Sequence, residues 1–269
     1  MPVDQSAPTE AGWVYPALFK VKDTWVLITE SRLDRNYCGT RLATNSEGGK
    51  YEIGFPMEQE SIFDGPLNPE SITPWKTPWR VIAIGSLKTI IESNLGNALA
   101  APAIQIDESV VKPGIASWSW AILKDESIKY DIQKRFVDYA ADMGWQYCLV
   151  DVNWDTNIGY ERIEELSKYA RSKSVGLILW YNSAGDWNTA PYHPRDVMLT
   201  SESRRTEFAR IRDMGVAGVK VDFFGGDGQS VIDYYHDILT DAAEFGILGN
   251  FHGATLPRGW HNRNGSGET

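Results

Sequence analysis

Two charged side chains lie two residues apart at the end of a short apolar run, Gly218-Val219-Lys220-Val221-Asp222-Phe223-Phe224. Side chains of a β-strand point to the same face at every second position, so this spacing places the Lys220 ammonium beside the Asp222 carboxylate. In α/β barrels, catalytic groups stand at the carboxyl ends of buried parallel strands. The pair is therefore a candidate catalytic carboxylate with its own cation. The alternative is a structural ion pair at a strand end.

Other polar and aromatic side chains follow the predicted strands in the same way. The strand ends carry Trp120, Asp151, Asn153, Trp154, Trp180, Asn182, Asp222 and His252. Trp118 and Trp120 are candidates for an aromatic platform under a sugar ring. Asp151 and Asn153 share a face and are candidates for binding hydroxyl groups, although either side chain could equally bond a neighbouring loop.

The elements that must position these groups alternate strictly from residue 115 onward. Strands are predicted over 115–120, 146–152, 175–181, 219–223 and 247–251, and helices over 128–143, 161–173, 203–214 and 231–245. This alternation predicts a parallel sheet. The first strand–helix turn has no glycine-rich phosphate loop, which disfavours a nucleotide-binding protein. A full barrel needs eight such units in about 250 residues. We therefore predict an α/β fold in which residues 101–269 hold the first five βα units of an incomplete (β/α)8 TIM barrel.

The first 100 residues have a different pattern. Apolar β-type runs flank Lys22-Asp23-Thr24, which predicts a hairpin, and a further strand is predicted over 80–85. Four prolines between 66 and 78 predict a loop or sheet edge. We predict that residues 1–100 are the C-terminal part of a β-sandwich domain, followed by a short helical or irregular connector over 87–99.

Composition excludes several classes of function. The net charge of −10 and the pI near 4.9 argue against nucleic acid, because there is no basic stripe to neutralise phosphates. No apolar run approaches the roughly 18 residues of a membrane span, and residues 1–6 lack the features of a signal peptide. The two cysteines, Cys38 and Cys148, are predicted to be buried thiols rather than metal ligands or a disulfide.

Seven stretches together resemble glycoside hydrolase family 97, over about residues 12 to 261 and in the family's order. They are Trp13-Val14-Tyr15-Pro16-Ala17-Leu18-Phe19, Asn36-Tyr37-Cys38-Gly39, Trp79-Arg80-Val81-Ile82, Ile91-Glu92-Ser93-Asn94-Leu95, Ala116-Ser117-Trp118-Ser119-Trp120, the Lys220–Asp222 run, and Asn250-Phe251-His252-Gly253-Ala254-Thr255-Leu256-Pro257-Arg258-Gly259-Trp260. The resemblance implies a β-sandwich ahead of a catalytic barrel. It also implies an oligosaccharide or glycoside substrate and a location in the bacterial periplasm.

The family has a retaining and an inverting branch, and the resemblance implies the retaining one. In that branch the nucleophile is an aspartate that matches Asp222, whereas inverting members use a glutamate at the position of Gly253. Retaining members are chiefly α-galactosidases, so the sequence is expected to cleave terminal α-galactosides through a covalent glycosyl-enzyme. The alternatives are an inverting α-glucosidase of the same family and a non-catalytic carbohydrate-binding protein.

The resemblance also assigns supporting roles. Lys220 would keep Asp222 ionised and could bond a sugar hydroxyl. His252 would be a second ligand for a sugar hydroxyl. The alternative is that His252 is a structural histidine whose hydrogen bonds are satisfied at a strand end. The family binds Ca2+ through carboxylates near its active site, and Glu92 is the expected match, with a helix-capping or solvent-facing glutamate as the alternative. The general acid/base glutamate is expected beyond the Trp260 motif. No motif surrounds Glu268, so that role is not assigned to it.

Overall fold

The computed structural model describes residues 5–45, 47–102 and 111–260. The chain divides into two compact units. Among the described residues, the first unit contains those up to 102 together with 225–236 and 255–260, and the second contains 111–224 and 237–254.

The first unit is built on an antiparallel sheet in the order β1-β2-β5, formed by Ala17–Val21, Thr24–Ser31 and Trp79–Gly85. The turn between β1 and β2 contains Lys22, which has a positive φ of 53°, and this confirms the predicted hairpin. A second ladder joins β3 (Arg41–Leu42) to β4 (Ile53–Gly54). The predicted connector forms two short helices, α1 (Leu87–Ile91) and α2 (Leu95–Ala98). This part of the chain is β structure, as predicted. Its assignment to a sandwich stays a prediction.

Buried aromatic and charged side chains hold the first unit together. Tyr15, Ala17, Phe19 and Leu42 form a core cluster, because alternate residues of β1 face the same side. Beside them, the buried carboxylate of Glu30 accepts the Thr40 N–H at 2.8 Å and pairs with Arg80 at 2.8 Å. It also pairs with the guanidinium of Arg258 at 2.5 Å. A buried charge needs such partners, so this network fixes the register of the chain around β2.

The second unit contains a five-stranded parallel sheet in the order β10-β9-β8-β7-β6. Its strands are β6 (Ala116–Trp118), β7 (Tyr147–Val150), β8 (Gly176–Asn182), β9 (Gly218–Asp222) and β10 (Leu248–Phe251). The helices are α3 (Ser119–Leu123), α4 (Tyr130–Asp142), α5 (Trp154–Asn157), α6 (Tyr160–Ser172), α7 (Ser201–Asp213) and α8 (Gln229–Glu244), and α8 contributes residues to both units. The predicted α/β class is confirmed, in line with a partial TIM barrel.

The predicted helices are present because each presents an apolar stripe to the sheet and has a clear end. In α6, Ile163, Leu166 and Ala170 are buried, at helical spacing. Gly144 and Gly215 follow α4 and α7 with φ of 69° and 79°, the left-handed conformation that ends a helix and suits glycine. Helices α3 and α5 were not predicted. The strand expected over 115–120 ends at Trp118, and Trp120 lies on α3.

Strands β7 and β8 are mainly apolar on both faces, as expected for buried strands of a parallel sheet. In β8, every residue after Gly176 is buried. Cys148 on β7 and Cys38 in the first unit are fully buried free thiols, as predicted. Within the described residues, no helix is both long and apolar enough to cross a membrane.

Candidate active site

Strand β9 brings the two predicted charged residues to one place. Lys220 pairs in register with Trp180 on β8 and Asn250 on β10, and Asp222 pairs with Asn182 on β8. Lys220 and Asp222 are only 4% and 5% exposed, yet both carry charge. Burial of charge in a sheet interior is costly, so these two side chains need specific partners.

The carboxylate of Asp222 has a donor on every side. Its Oδ1 accepts the backbone N–H of Phe223 at 2.8 Å. Its Oδ2 lies 3.2 Å from Trp180 Nε1, 3.0 Å from His252 Nδ1 and 3.7 Å from Lys220 Nζ. The carboxylate thus has three contacts at hydrogen-bond distance, and the Lys220 ammonium lies slightly farther away.

The ammonium of Lys220 has a second, closer carboxylate. Its Nζ donates to Asp151 Oδ2 at 3.1 Å, and the same oxygen accepts Trp118 Nε1–H at 2.7 Å. The other oxygen of Asp151 accepts the Val152 N–H at 2.9 Å. The Lys220 ammonium also lies 4.3 Å from the centre of a Trp118 ring, within the range of a cation–π contact. Asp151, Lys220 and Trp118 thus form one bonded cluster with Asp222.

Aromatic rings form one side of this cluster. Trp118 and Trp120 stack with their centroids 5.7 Å apart and their planes at 17°, and Trp118 meets His252 edge to face at 6.4 Å. Trp120 Nε1 donates to Asp125 at 2.7 Å, which fixes its ring. A stacked pair of indole rings beside hydrogen-bonding groups is suited to binding a sugar ring.

A cavity of about 560 Å³ opens beside the cluster, within the second unit. Apolar strand residues such as Leu149, Ile178 and Leu248 line much of it, and Trp118, Lys220 and His252 are also in its wall. These apolar strand residues are of the kind that fill the interior of a complete barrel, so the cavity marks the inner face of the sheet and is not by itself a ligand site.

The backbone next to Asp222 is unusual in two places. Phe223 has a φ of 69°, a left-handed conformation that is rare for a bulky residue and that is concentrated at functional sites. Gly253 has a φ of 56°, and a Cβ placed on it would lie 2.8 Å from Asp222 Oδ1. Any residue larger than glycine at position 253 would therefore require the Asp222 carboxylate to move.

Two predicted residues lie outside this cluster. Asn153 accepts the His193 N–H at 2.9 Å through its side-chain oxygen, so it bonds a neighbouring loop, as the alternative stated. Close by, burial raises the pKa of the Asp155 carboxyl, an effect that His193 partly offsets. Glu92, in the first unit, follows helix α1, is exposed and pairs with Lys88.

The described residues do not by themselves form a calcium site. Among them, no three His, Cys, Asp or Glu side chains are grouped so that they could hold a metal ion. Calcium binding through Glu92 stays a prediction.

Sequence reasoning missed the roles of Trp180, Tyr192 and Phe223. Trp180 is only 1% exposed and meets Phe223 edge to face at 5.9 Å, and Tyr192 stacks on Phe223 with centroids 6.2 Å apart. Trp180 was seen at a strand end but was given no role, since a buried aromatic residue usually only fills a core. No signal in the sequence predicts its bond to Asp222, which depends on the register of β8 against β9.

A parallel sheet that carries a buried carboxylate at a strand end, beside stacked tryptophans, is the arrangement expected at the catalytic end of an α/β barrel. The family model for Glycoside hydrolase 97 matches residues 111–264, and the model for Glycosyl-hydrolase 97 N-terminal matches residues 1–102. The chain belongs to glycoside hydrolase family 97.

Two curated relatives are both named as retaining α-galactosidases. The chain is 34% identical to a "Probable retaining alpha-galactosidase" of Streptomyces bingchenggensis, over 94% of this chain and 38% of the relative. It is 27% identical to a "Retaining alpha-galactosidase" of Bacteroides thetaiotaomicron, over 87% of this chain and again 38% of the relative. The chain thus spans well under half the length of these relatives.

Solved structures show the same fold. The crystal structure of a β-arabinopyranosidase superposes with a TM-score of 0.90 at 40% identity, over 97% of this chain and 42% of that one. A family 97 enzyme from Pseudoalteromonas sp. strain K8, in complex with panose, superposes with a TM-score of 0.74 at 21% identity, over 93% and 42%. The second likeness shows the fold alone.

Proposed function

We propose that the chain carries the nucleophile of a retaining α-galactosidase, and that Asp222 is that nucleophile. The observation that carries the proposal is the buried Asp222 carboxylate at the end of β9, which accepts the Trp180 and Phe223 N–H groups and lies 3.0 Å from His252 Nδ1. In a retaining glycosidase one carboxylate attacks the anomeric carbon and forms a glycosyl ester, which water then hydrolyses. The names of the two curated relatives agree with this activity.

The geometry at Gly253 supports retention over inversion. An inverting enzyme of this family is expected to carry its base glutamate at this position. Here any Cβ would come within 2.8 Å of Asp222 Oδ1. The inverting α-glucosidase is therefore the weaker candidate. A non-catalytic carbohydrate-binding protein is also the weaker candidate, because both curated relatives are named as enzymes.

A second activity is favoured by a specific finding, the 40% identity to a β-arabinopyranosidase. A β-L-arabinopyranoside has the ring configuration of an α-D-galactopyranoside and lacks only the hydroxymethyl group on C5. The same nucleophile would serve both substrates. The preferred substrate depends on whether the pocket leaves room for the C5 hydroxymethyl group or occupies that space with protein atoms.

The remaining parts of the proposal rest on the family resemblance. A carboxylic acid outside the described residues would supply the general acid/base, which is worth roughly 10² to 10⁴ in rate. The 269-residue chain alone is then expected to be nearly inactive. Calcium through Glu92 and a periplasmic location are proposed on the same basis, with a glycoside or oligosaccharide as the bound partner.

The test uses the chain extended to the length of its curated relatives. Hydrolysis of p-nitrophenyl α-galactoside, α-glucoside and β-L-arabinopyranoside is measured, and the first anomer released is identified by NMR. We expect α-galactose or β-arabinose as the first product. Asp222→Ala should lower the rate by roughly 10⁴-fold or more. Added azide should restore turnover of the α-galactoside and yield the β-galactosyl azide.

The matched control is Asp213→Ala, which removes an exposed carboxylate that pairs with Arg212 at the end of α7. This variant should keep the wild-type rate. Release of the opposite anomer, or activity that survives in Asp222→Ala, would refute the retaining assignment.

A further inference from the structure

The indole of Trp180 donates to the carboxylate of Asp222 from a fixed, buried position. Its Nε1 lies 3.2 Å from Asp222 Oδ2, and the residue is 1% exposed. We propose that Trp180 is a further catalytic residue, which acts on the Asp222 carboxylate through its N–H when the glycosyl-enzyme is hydrolysed. The inference rests on the proposed function, since it concerns the second step of that reaction.

The other two side-chain donors are less suited to this role. Lys220 lies 3.7 Å from Asp222 Oδ2 but 3.1 Å from Asp151 Oδ2, so its charge is shared. The His252 side chain is 57% exposed, and its ring nitrogen donates in only some of its protonation states. An indole N–H can only donate, at any pH.

The surroundings of Trp180 hold its ring in place. Its backbone carbonyl accepts the Nε1–H of Trp154 at 2.8 Å, and Trp154 is itself fully buried. Phe223 and Tyr192 meet the Trp180 ring edge to face, at 5.9 and 6.4 Å. A donor that is already oriented needs no reorganisation when charge develops next to it.

The proposed reaction has two steps, and the charge on Asp222 changes in opposite directions. In the first step a lone pair of the carboxylate forms a bond to the anomeric carbon. The glycosidic C–O bond breaks, and its electron pair stays on the leaving oxygen, which takes a proton from a protein carboxylic acid. In the second step the ester C–O bond breaks as a water oxygen bonds the anomeric carbon, and the electron pair of the broken bond returns to Asp222. The water loses a proton to the same group, now a carboxylate.

A donor to the carboxylate therefore has opposite effects on the two steps. The Trp180 N–H stabilises the anion that the first step consumes and that the second step regenerates. Its loss should slow hydrolysis of the glycosyl-enzyme and leave its formation unchanged or slightly faster. A hydrogen bond to a charged group is typically worth a factor of about 10 to 100.

The experiment compares Trp180→Phe with wild type in the chain extended to the length of its relatives. The substrate is 2,4-dinitrophenyl α-galactoside, whose leaving group needs no proton, so that hydrolysis of the glycosyl-enzyme limits kcat. We expect kcat and KM to fall together by about 10- to 100-fold, while kcat/KM changes by less than about threefold. Rapid mixing should show a full burst of dinitrophenolate.

The matched control is Trp145→Phe, which replaces an indole that meets Tyr139 edge to face after helix α4 and lies outside the Asp222 cluster. It should leave kcat and kcat/KM in their wild-type ratio. If Trp180→Phe does not fold, Trp180 is replaced by β-(3-benzothienyl)alanine, which keeps the shape of tryptophan and lacks the N–H.

The outcomes separate this inference from the proposed function. An unchanged kcat, or an equal fall in kcat and kcat/KM, would overturn the role of Trp180 while the enzyme remained a retaining glycosidase. A wild-type protein that releases the inverted anomer first, or Asp222→Ala with wild-type activity, would instead refute the proposed function.

Discussion

Replacement of Lys220 by methionine should destabilise the second unit far more than the same change on the protein surface. Lys220 is 4% exposed, and its ammonium lies 3.1 Å from Asp151 Oδ2 and 3.7 Å from Asp222 Oδ2. Methionine has a similar length and can still pack on Trp118, so the change removes charge with little loss of volume. Two buried carboxylates would then share no cation.

The expected cost follows from the burial of this pair. Removal of one partner from a buried ion pair typically costs about 3–5 kcal/mol, because the other charge is left uncompensated. Both carboxylates keep neutral donors after the change: Asp151 keeps Trp118 Nε1–H, and Asp222 keeps Trp180 Nε1–H. We therefore expect the lower end of the range, about 3 kcal/mol.

Urea unfolding followed by far-UV circular dichroism measures this loss from the shift in midpoint at a common m value. Lys168→Met is the matched control, because Lys168 pairs with Glu164 four residues earlier on α6, with both side chains largely exposed. Such a pair is worth about 0.3–0.5 kcal/mol. Adding Asp151→Asn to Lys220→Met should recover part of the loss. Equal losses in the Lys220 and Lys168 variants would refute the electrostatic account of the site.

Three further predictions concern the rest of the chain. Burial raises the pKa of Cys38 to about 12 and that of Cys148 to about 11, so neither thiol should react with a thiol reagent at pH 8 until the protein is unfolded. Burial, together with Glu207, raises the pKa of Tyr181 well above 10. The stability contributed by the buried, protonated Tyr181 hydroxyl should therefore be complete below pH 10 and be lost at higher pH. In urea titrations at alkaline pH, Tyr181→Phe should show a smaller loss of stability than wild type. Ile84 is 65% exposed on strand β5 and should promote association between molecules. Ile84→Lys should therefore lower the aggregated fraction measured by light scattering. An unchanged fraction would show that this strand is not the contact.

The helices and strands of the second unit were predictable because each repeats its apolar residues with its own period. The helix predicted over 203–214 is observed at Ser201–Asp213, and the strand predicted over 247–251 at Leu248–Phe251. The error at Trp120 has a local cause. Alternating serine and tryptophan suits a strand, but strand β6 pairs with β7 only as far as Trp118↔Leu149, and the chain then turns into α3.

The positions of site residues were predictable where they follow from strand periodicity. They were not predictable where they depend on side-chain rotamers. The spacing of Lys220 and Asp222 placed both on one face, and the two groups are 3.7 Å apart. The bond from Trp180 to Asp222 depends instead on the register of β8 against β9 and on which way an indole ring turns. Neither can be read from one sequence, since the same apolar strand pattern would also fit a tryptophan that only fills space.

The two buried carboxylates of the site have different partners, and the proposed function makes different demands on them. Asp151 has three short contacts, from Trp118 Nε1 at 2.7 Å, Val152 N at 2.9 Å and Lys220 Nζ at 3.1 Å. Asp222 Oδ1 accepts the Phe223 N–H at 2.8 Å, and its Oδ2 lies 3.0 Å from His252 Nδ1 and 3.2 Å from Trp180 Nε1. Under the proposed function Asp222 attacks the anomeric carbon, and these donors stabilise the anion that hydrolysis of the glycosyl-enzyme regenerates. Asp151 would then hold the Lys220 ammonium, which lies 3.7 Å from Asp222 Oδ2.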